Sequence, residues 1–299
     1  MSDDGRSPLG QTPRNQLLYS GQIKRSIAGM NPNKALWEKG DFTRIAATMR
    51  ESGEALVARL GIKPGMKVLD LGCGDGTTAL PAAKLGADVL GVDIASNLVE
   101  AGSRRAREMG LTNCRFQEGD ASNLHELRDR SFDLVVSIFG AMFAPKPHDV
   151  AKEMVRVTRP SGRIVMGNWI PGDPTLVAQI LKVSSAYTPL PPEGFVSPMT
   201  WGGEGHVLER FADAGIAPEK ISFSLETFTF RSSNAPAMVV DEFLKYYGPT
   251  MNAFDAAEKN GRAADLRREL EDLFISQNQS PTQGATSIPA TFLKVTVEV

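Results

Sequence analysis

The chain has 299 residues, more than one small domain needs and fewer than three would take. It is 41% hydrophobic and 23% charged, an ordinary globular composition, so one large domain with added elements fits best. The formal net charge of −2 lacks the basic excess of a nucleic-acid surface. The densest basic run, Arg104-Arg105-Ala106-Arg107, reads as a solvated helix face. Cys73 and Cys114 are the two cysteines and form no CxxC pair, which argues against a zinc site, a redox motif or a disulfide framework. The stretch MSDDGRSPLGQTPRN is polar and lacks the apolar centre of a signal peptide. No run of about 18 apolar residues suggests a membrane span. The expectation is a soluble protein of a reducing cytoplasm.

Residues 1–30 are rich in Ser, Gly, Pro, Asn and Gln and read as a flexible arm. Residues 31–62 carry helical spacing through Leu36, Ile45, Met49, Leu56 and Leu60, which predicts two cover helices parted near Gly40-Asp41. From Met66 strands and helices alternate. MKVLDLG, ADVLGVD, NCRFQEGD, SFDLVVSIFG and GRIVMGNWI read as five strands. The helices between them are TTALPAAKLG, closed by Gly86; SNLVEAGSRRAREMG, with Ser96 as N-cap and Gly110 as C-cap; and HDVAKEMVRVTRP, ended by Pro160. That rhythm implies parallel pairing with right-handed crossovers.

After Trp169 the rhythm breaks. Residues 171–200 are proline-rich and read as a lid loop. EGHVLERFADAG reads as a helix, EKISFSLETFTF as a sheet-edge strand, residues 235–285 as a helical insertion, and residues 286–299, with ATFLKVTVEV, as a closing strand. The predicted fold is α/β: a Rossmann-like, doubly wound, mostly parallel seven-stranded sheet with an antiparallel last strand and helical lid additions. Its organisation is a core over 63–170, a lid region over 171–234 and helices over the site from 235 on.

The stretch VLDLGCGDGTTAL (68–80) sets three alternating glycines after a hydrophobic strand. Such a turn brings a ligand to backbone N–H groups. The dinucleotide fingerprint G-x-G-x-x-G is not met, because position 77 is Thr77. Instead an acid stands at each of three successive strand ends. Asp70, ahead of the glycines, suits a cationic amine. Asp93, ending the second strand, suits two ribose hydroxyls. Asp120, after the third, suits an exocyclic amine. S-adenosylmethionine carries all three groups.

At these residues the sequence resembles the class I S-adenosylmethionine-dependent methyltransferases, and among them the small-molecule, quinone- and sterol-methylating group. VLDLGCGDG, VLGVDIASNLVEAG, FQEGDA, FDLVVSIFGAMF and RVTRPSGRIVMGNW match the family's motifs in order over roughly residues 40–170. Ser161 departs from the pattern, where glycine is usual. The resemblance implies that Asp70, Gly72, Cys73, Gly74 and Gly76 form the loop around the methionine portion. Asp93 would take the ribose, Ile94 would pack on adenine, and Asp120 and Ala121 would fix its edge. Ser137 and Phe139 would lie near the sulfonium. The implied cofactor is S-adenosyl-L-methionine, leaving as S-adenosyl-L-homocysteine, with no metal.

For the acceptor, the candidate pocket residues are Trp37, Phe42, Met142, Phe143, Tyr187, Trp201 and Tyr246. Catalytic candidates are His206 and Tyr246; methyl transfer needs a base only where the acceptor starts protonated. The expected partner is a small, apolar, aromatic or isoprenoid-like molecule, with no nucleic acid and no membrane span; homo-oligomerisation stays open. Two other readings stand beside this one: an NAD(P)-dependent oxidoreductase on a similar sheet, and a non-catalytic module that binds S-adenosylmethionine.

Overall fold

The computed structural model describes residues 32–299; the arm expected over residues 1–30 lies outside them. Among the described residues three helices come first, α1 (Pro32–Glu38), α2 (Phe42–Ala47) and α3 (Arg50–Ala58), where the spacing over residues 31–62 predicts two. The extra break falls at Thr48. Its hydroxyl turns back to donate to the Ile45 carbonyl at 2.7 Å, a local bond that competes with helix propagation. Its own carbonyl accepts the Arg231 N–H at 2.7 Å.

Then follow β1 (Lys67–Leu71), α4 (Ala79–Lys84), β2 (Asp88–Asp93), α5 (Ser96–Glu108), β3 (Cys114–Glu118), β4 (Phe132–Ile138), α6 (Pro147–Val157) and β5 (Thr158–Trp169). Beyond them lie α7 (Leu176–Ser185), α8 (Glu204–Asp213), β6 (Ile221–Ser232), α9 (Pro236–Tyr246), α10 (Gly248–Lys259), α11 (Ala263–Gln277) and β7 (Thr286–Glu298). One seven-stranded sheet has the order β3-β2-β1-β4-β5-β7-β6. β1 to β5 pair in parallel, and β7 runs antiparallel between β5 and β6. The order reverses between β1 and β4, so their carboxyl ends diverge and leave a crevice. Val68, Leu69, Val89, Leu134, Val135 and Ile164 are fully buried, as strands covered on both faces require.

Three sequence expectations are corrected locally, and a fourth position is explained. α5 is capped by Ala95, with Ser96 as its first helical residue, because the Ser96 N–H and hydroxyl are engaged by Glu38 at 3.0 and 2.7 Å. α6 stops at Val157, before Pro160 is reached; Thr158 turns extended and Pro160 lies inside β5. Residues 171–200 are not all loop. Pro171, Pro174, Pro189, Pro191 and Pro192 bracket α7 rather than run through it, and Leu176, Val177 and Ile180 bury its apolar face. Ser161, where the resembled family has glycine, adopts glycine's left-handed backbone at φ 64° and is pinned by its N–H to the Val299 carbonyl at 2.9 Å. Among the described residues, no helix is long and apolar enough to cross a membrane.

Candidate active site

A cleft open at its mouth, enclosing about 930 Å³ with the solvent space at its opening included, occupies the crevice at the carboxyl ends of β1, β2 and β4. Its floor is the glycine loop. Gly72, Gly74 and Gly76 have φ of 71°, 53° and 90°, conformations costly to residues with a Cβ. At Gly72 the reason is also steric: a Cβ would stand 2.6 Å from the Gly140 Cα, so the loop after β1 and the turn after β4 touch backbone to backbone. Ser137 fastens the same junction. Its hydroxyl donates to the Leu71 carbonyl at 2.6 Å and accepts the Ala141 N–H at 2.9 Å.

The acids behave differently from one another. Asp70 is 1% exposed, lines the cavity, and has Oδ2 without a hydrogen-bond partner among the described residues. Burial pushes its carboxyl up to about 8, with the Asp93 charge adding to the rise and the Ala79 N–H opposing it. Asp93 is satisfied by backbone: Oδ2 accepts the Gly74 N–H at 2.8 Å and Oδ1 the Ala95 N–H at 2.9 Å. Burial raises its pKa, and these N–H groups offset part of the rise. The Ile94 N–H adds to them, and a carboxylate with about four acceptor positions keeps capacity beside these donors. Asp120 turns its Oδ1 onto the Ser122 N–H and hydroxyl at 2.9 and 2.7 Å. Asp93, Ile94, Asp120 and Ala121 all line the cavity. So does Cys73, a thiol pushed up by burial and by the nearby Asp93 and Asp70 charges. Gly76 and Ser137 do not line it; they shape the loop and its seam from behind.

Sequence reasoning missed Asp75. It lies within the glycine loop, is 1% exposed and lines the cavity. Arg50 from α3 pairs with it at 2.7 Å and Arg105 from α5 at 3.2 Å. Its partners stand 25 and 30 positions away, so the only local signal was a charge placed among glycines.

A second, smaller and more apolar inner chamber, about 380 Å³ with the space at its opening included, shares Trp37, Phe42, Met49 and Phe139 with the first. Phe139, at φ 61°, stacks on Trp169 with centroids 3.6 Å apart. Phe143, Phe230, Phe243 and Tyr247 add further walls. Trp37 meets Phe42 and Phe143 edge-on at 5.5 and 5.0 Å, the geometry aromatic rings favour.

The structure brings Trp37, Phe42 and Phe143 to these cavities and leaves the other acceptor candidates elsewhere. Met142 and Trp201 are fully buried; Trp201 packs on Phe211 and beneath the Arg210 guanidinium. Tyr187 faces a separate surface groove with Asn252 and Arg262. Its hydroxyl donates to Glu269 at 2.6 Å. Tyr246 turns outward under Arg44, and its neighbour Tyr247 turns in. His206 is exposed beside Glu209.

α1 roofs the outer cavity with Trp37 and is strapped to the sheet edge. Lys34 Nζ reaches Glu118 at 2.5 Å, Glu38 at 3.0 Å and the Ile94 carbonyl at 3.1 Å.

A sheet of this order with a glycine loop at its switch point and acids at successive strand ends is the class I methyltransferase architecture. Residues 62–212 match the family model described as a methyltransferase domain. The chain belongs to that family and is an S-adenosylmethionine-dependent methyltransferase. An uncharacterised protein of Mycobacterium tuberculosis (strain ATCC 25618 / H37Rv) is 36% identical over 248 residues, 81% of this chain and 86% of that one. A demethylmenaquinone methyltransferase of Paenarthrobacter aurescens (strain TC1) is 32% identical over 177 residues, 54% of this chain and 66% of that protein. The crystal structure of a putative methyltransferase from Bacillus halodurans C-125 shares the fold, with TM-score 0.52 and 16% identity over 83% of this chain and 98% of that one.

Proposed function

We propose that the protein transfers a methyl group from S-adenosylmethionine to a small apolar, aromatic or isoprenoid-like acceptor held in the inner chamber. The observation that carries the cofactor's placement is Asp70. A buried carboxylate with a free oxygen in a cavity is costly, and an ammonium group beside it removes that cost. Asp70 therefore holds the α-amino group, with the loop Gly72–Gly76 around the methionine chain. Asp93 accepts from the ribose hydroxyls through its remaining lone pairs, while Ile94, Asp120 and Ala121 meet the adenine.

When bound, S-adenosylmethionine supplies a methyl group on a positively charged sulfur, ready for in-line displacement. The chain's part is positioning and exclusion of water. Phe139, common to both cavities, marks where the reacting partners meet. The aromatic walls hold the acceptor at that opening, and α1 closes over the donor. Orientation of this kind contributes several kcal/mol. The apolar walls support an apolar acceptor, and the name of the Paenarthrobacter relative points the same way.

Calorimetry with S-adenosylhomocysteine tests the cofactor half. Wild type should bind, and Asp93→Asn should bind at least about tenfold more weakly, the value of a hydrogen bond to a charged group. Equal affinities would remove Asp93 as the ribose ligand, and no binding by wild type would remove the reading altogether.

A further inference from the structure

The inner chamber's walls carry one hydroxyl among the described residues, that of Tyr247. Tyr247 is 6% exposed and stands at the corner between α9 and α10, its ring edge-on to Trp37 at 6.0 Å and to Phe243 at 5.4 Å. Burial pushes its phenol up, with no charged or hydrogen-bonding neighbour contributing. The phenol therefore stays protonated at neutral pH and can donate.

The corner is fixed by backbone. A Cβ on Gly40 would stand 2.4 Å from the Tyr246 carbonyl oxygen, and one on Gly248 would stand 2.4 Å from the Leu36 carbonyl oxygen. These two contacts lock residues 246–248 against α1 and the turn that follows it. They leave Tyr246 outside beneath Arg44 and turn Tyr247 toward the chamber. A rigidly held donor in an otherwise apolar aromatic box selects for a flat ring bearing an oxygen, because a ring without one leaves the buried donor unpaired.

We propose that Tyr247 is the specificity-determining residue for the acceptor, donating a hydrogen bond to an oxygen substituent of an aromatic or quinonoid ring. This rests on the methyl-transfer reading above, since the chamber is taken as the acceptor's. Tyr247 recognises the ring; it withdraws no proton, so the nucleophilic atom is one that is reactive without a base from this residue.

Ligand-observed NMR titration of the protein saturated with S-adenosylhomocysteine tests it, using 2-naphthol against the isosteric 2-methylnaphthalene. Wild type should prefer 2-naphthol by about five- to tenfold, the worth of one buried hydrogen bond. Tyr247→Phe should bring that ratio to about one while S-adenosylhomocysteine affinity is unchanged, and Tyr246→Phe should leave the ratio intact. Wild type should also prefer 2-methoxynaphthalene, which only accepts, over 2-ethylnaphthalene; this arm needs no variant to fold. A preference that survives in Tyr247→Phe, or wild type that binds cofactor product but no ring or both rings equally, overturns the proposal alone. Failure of wild type to bind S-adenosylhomocysteine overturns the methyl-transfer reading beneath it.

Discussion

Replacing Asp70 with Asn separates what this carboxylate does for stability from what it does for binding. In the folded, ligand-free protein the Asp70 carboxyl is raised from 3.8 to about 8. At about 1.4 kcal/mol per pKa unit this corresponds to roughly 6 kcal/mol. Between about pH 4 and pH 8 the unfolded chain has released the proton and the folded chain keeps it. The folded state binds more protons there, so Asp70's contribution makes unfolding easier as pH rises, and levels off above about 8. Asp70→Asn abolishes that slope. The variant should match wild type near pH 4 and exceed it by several kcal/mol near pH 8, read by urea denaturation across that range. Binding should move the opposite way. A ligand ammonium favours the carboxylate, so at pH 7 wild type should release close to one proton on taking up S-adenosylhomocysteine, measured by calorimetry in two buffers of different ionisation heat. Affinity should climb by up to about tenfold per pH unit below 8, and the Asn variant should lose both the affinity and the proton. Parallel stability curves for the two proteins, or binding without proton release, would refute the reasoning.

Ser161→Gly should raise stability by about 1 kcal/mol, because a serine now holds a left-handed backbone that glycine adopts freely; an unchanged or lower denaturation midpoint would argue against strain at that turn. Lys34→Ala should speed S-adenosylhomocysteine release about two- to fivefold in stopped flow, the worth of a half-exposed ionic strap. Moderate salt should do the same to wild type, and release that ignores both changes would mean α1 is not the roof that opens.

The sheet and the floor of the site were legible because their signals are local. Strand-end acids, a glycine loop and apolar runs of the right length all fall within residues 66–170, and each signal is complete within a short stretch of sequence. The roof was not legible in the same way. Nothing in the helical period distinguishes Tyr246 from Tyr247; the choice is made by contacts with Gly40 and Leu36, about two hundred positions away. α7 was hidden by the prolines at its two ends, whose punctuation reads as loop until the buried face of Leu176, Val177 and Ile180 is seen. Trp201 and Met142, candidate pocket residues in the sequence, went into the core, which is the common fate of large apolar side chains. Asp75 was passed over because its counter-charges come from two other helices.

The interlock at Gly40 and Gly248 also has an evolutionary reading. The strand ends that floor the cleft are structural parts of the sheet, so change there risks the whole fold. The ceiling comes from segments at opposite extremes of the sequence, joined to each other by two bare stretches of main chain. Side chains beside those junctions can vary without disturbing the platform beneath, so a lineage built on this framework can acquire new targets by redecorating its ceiling.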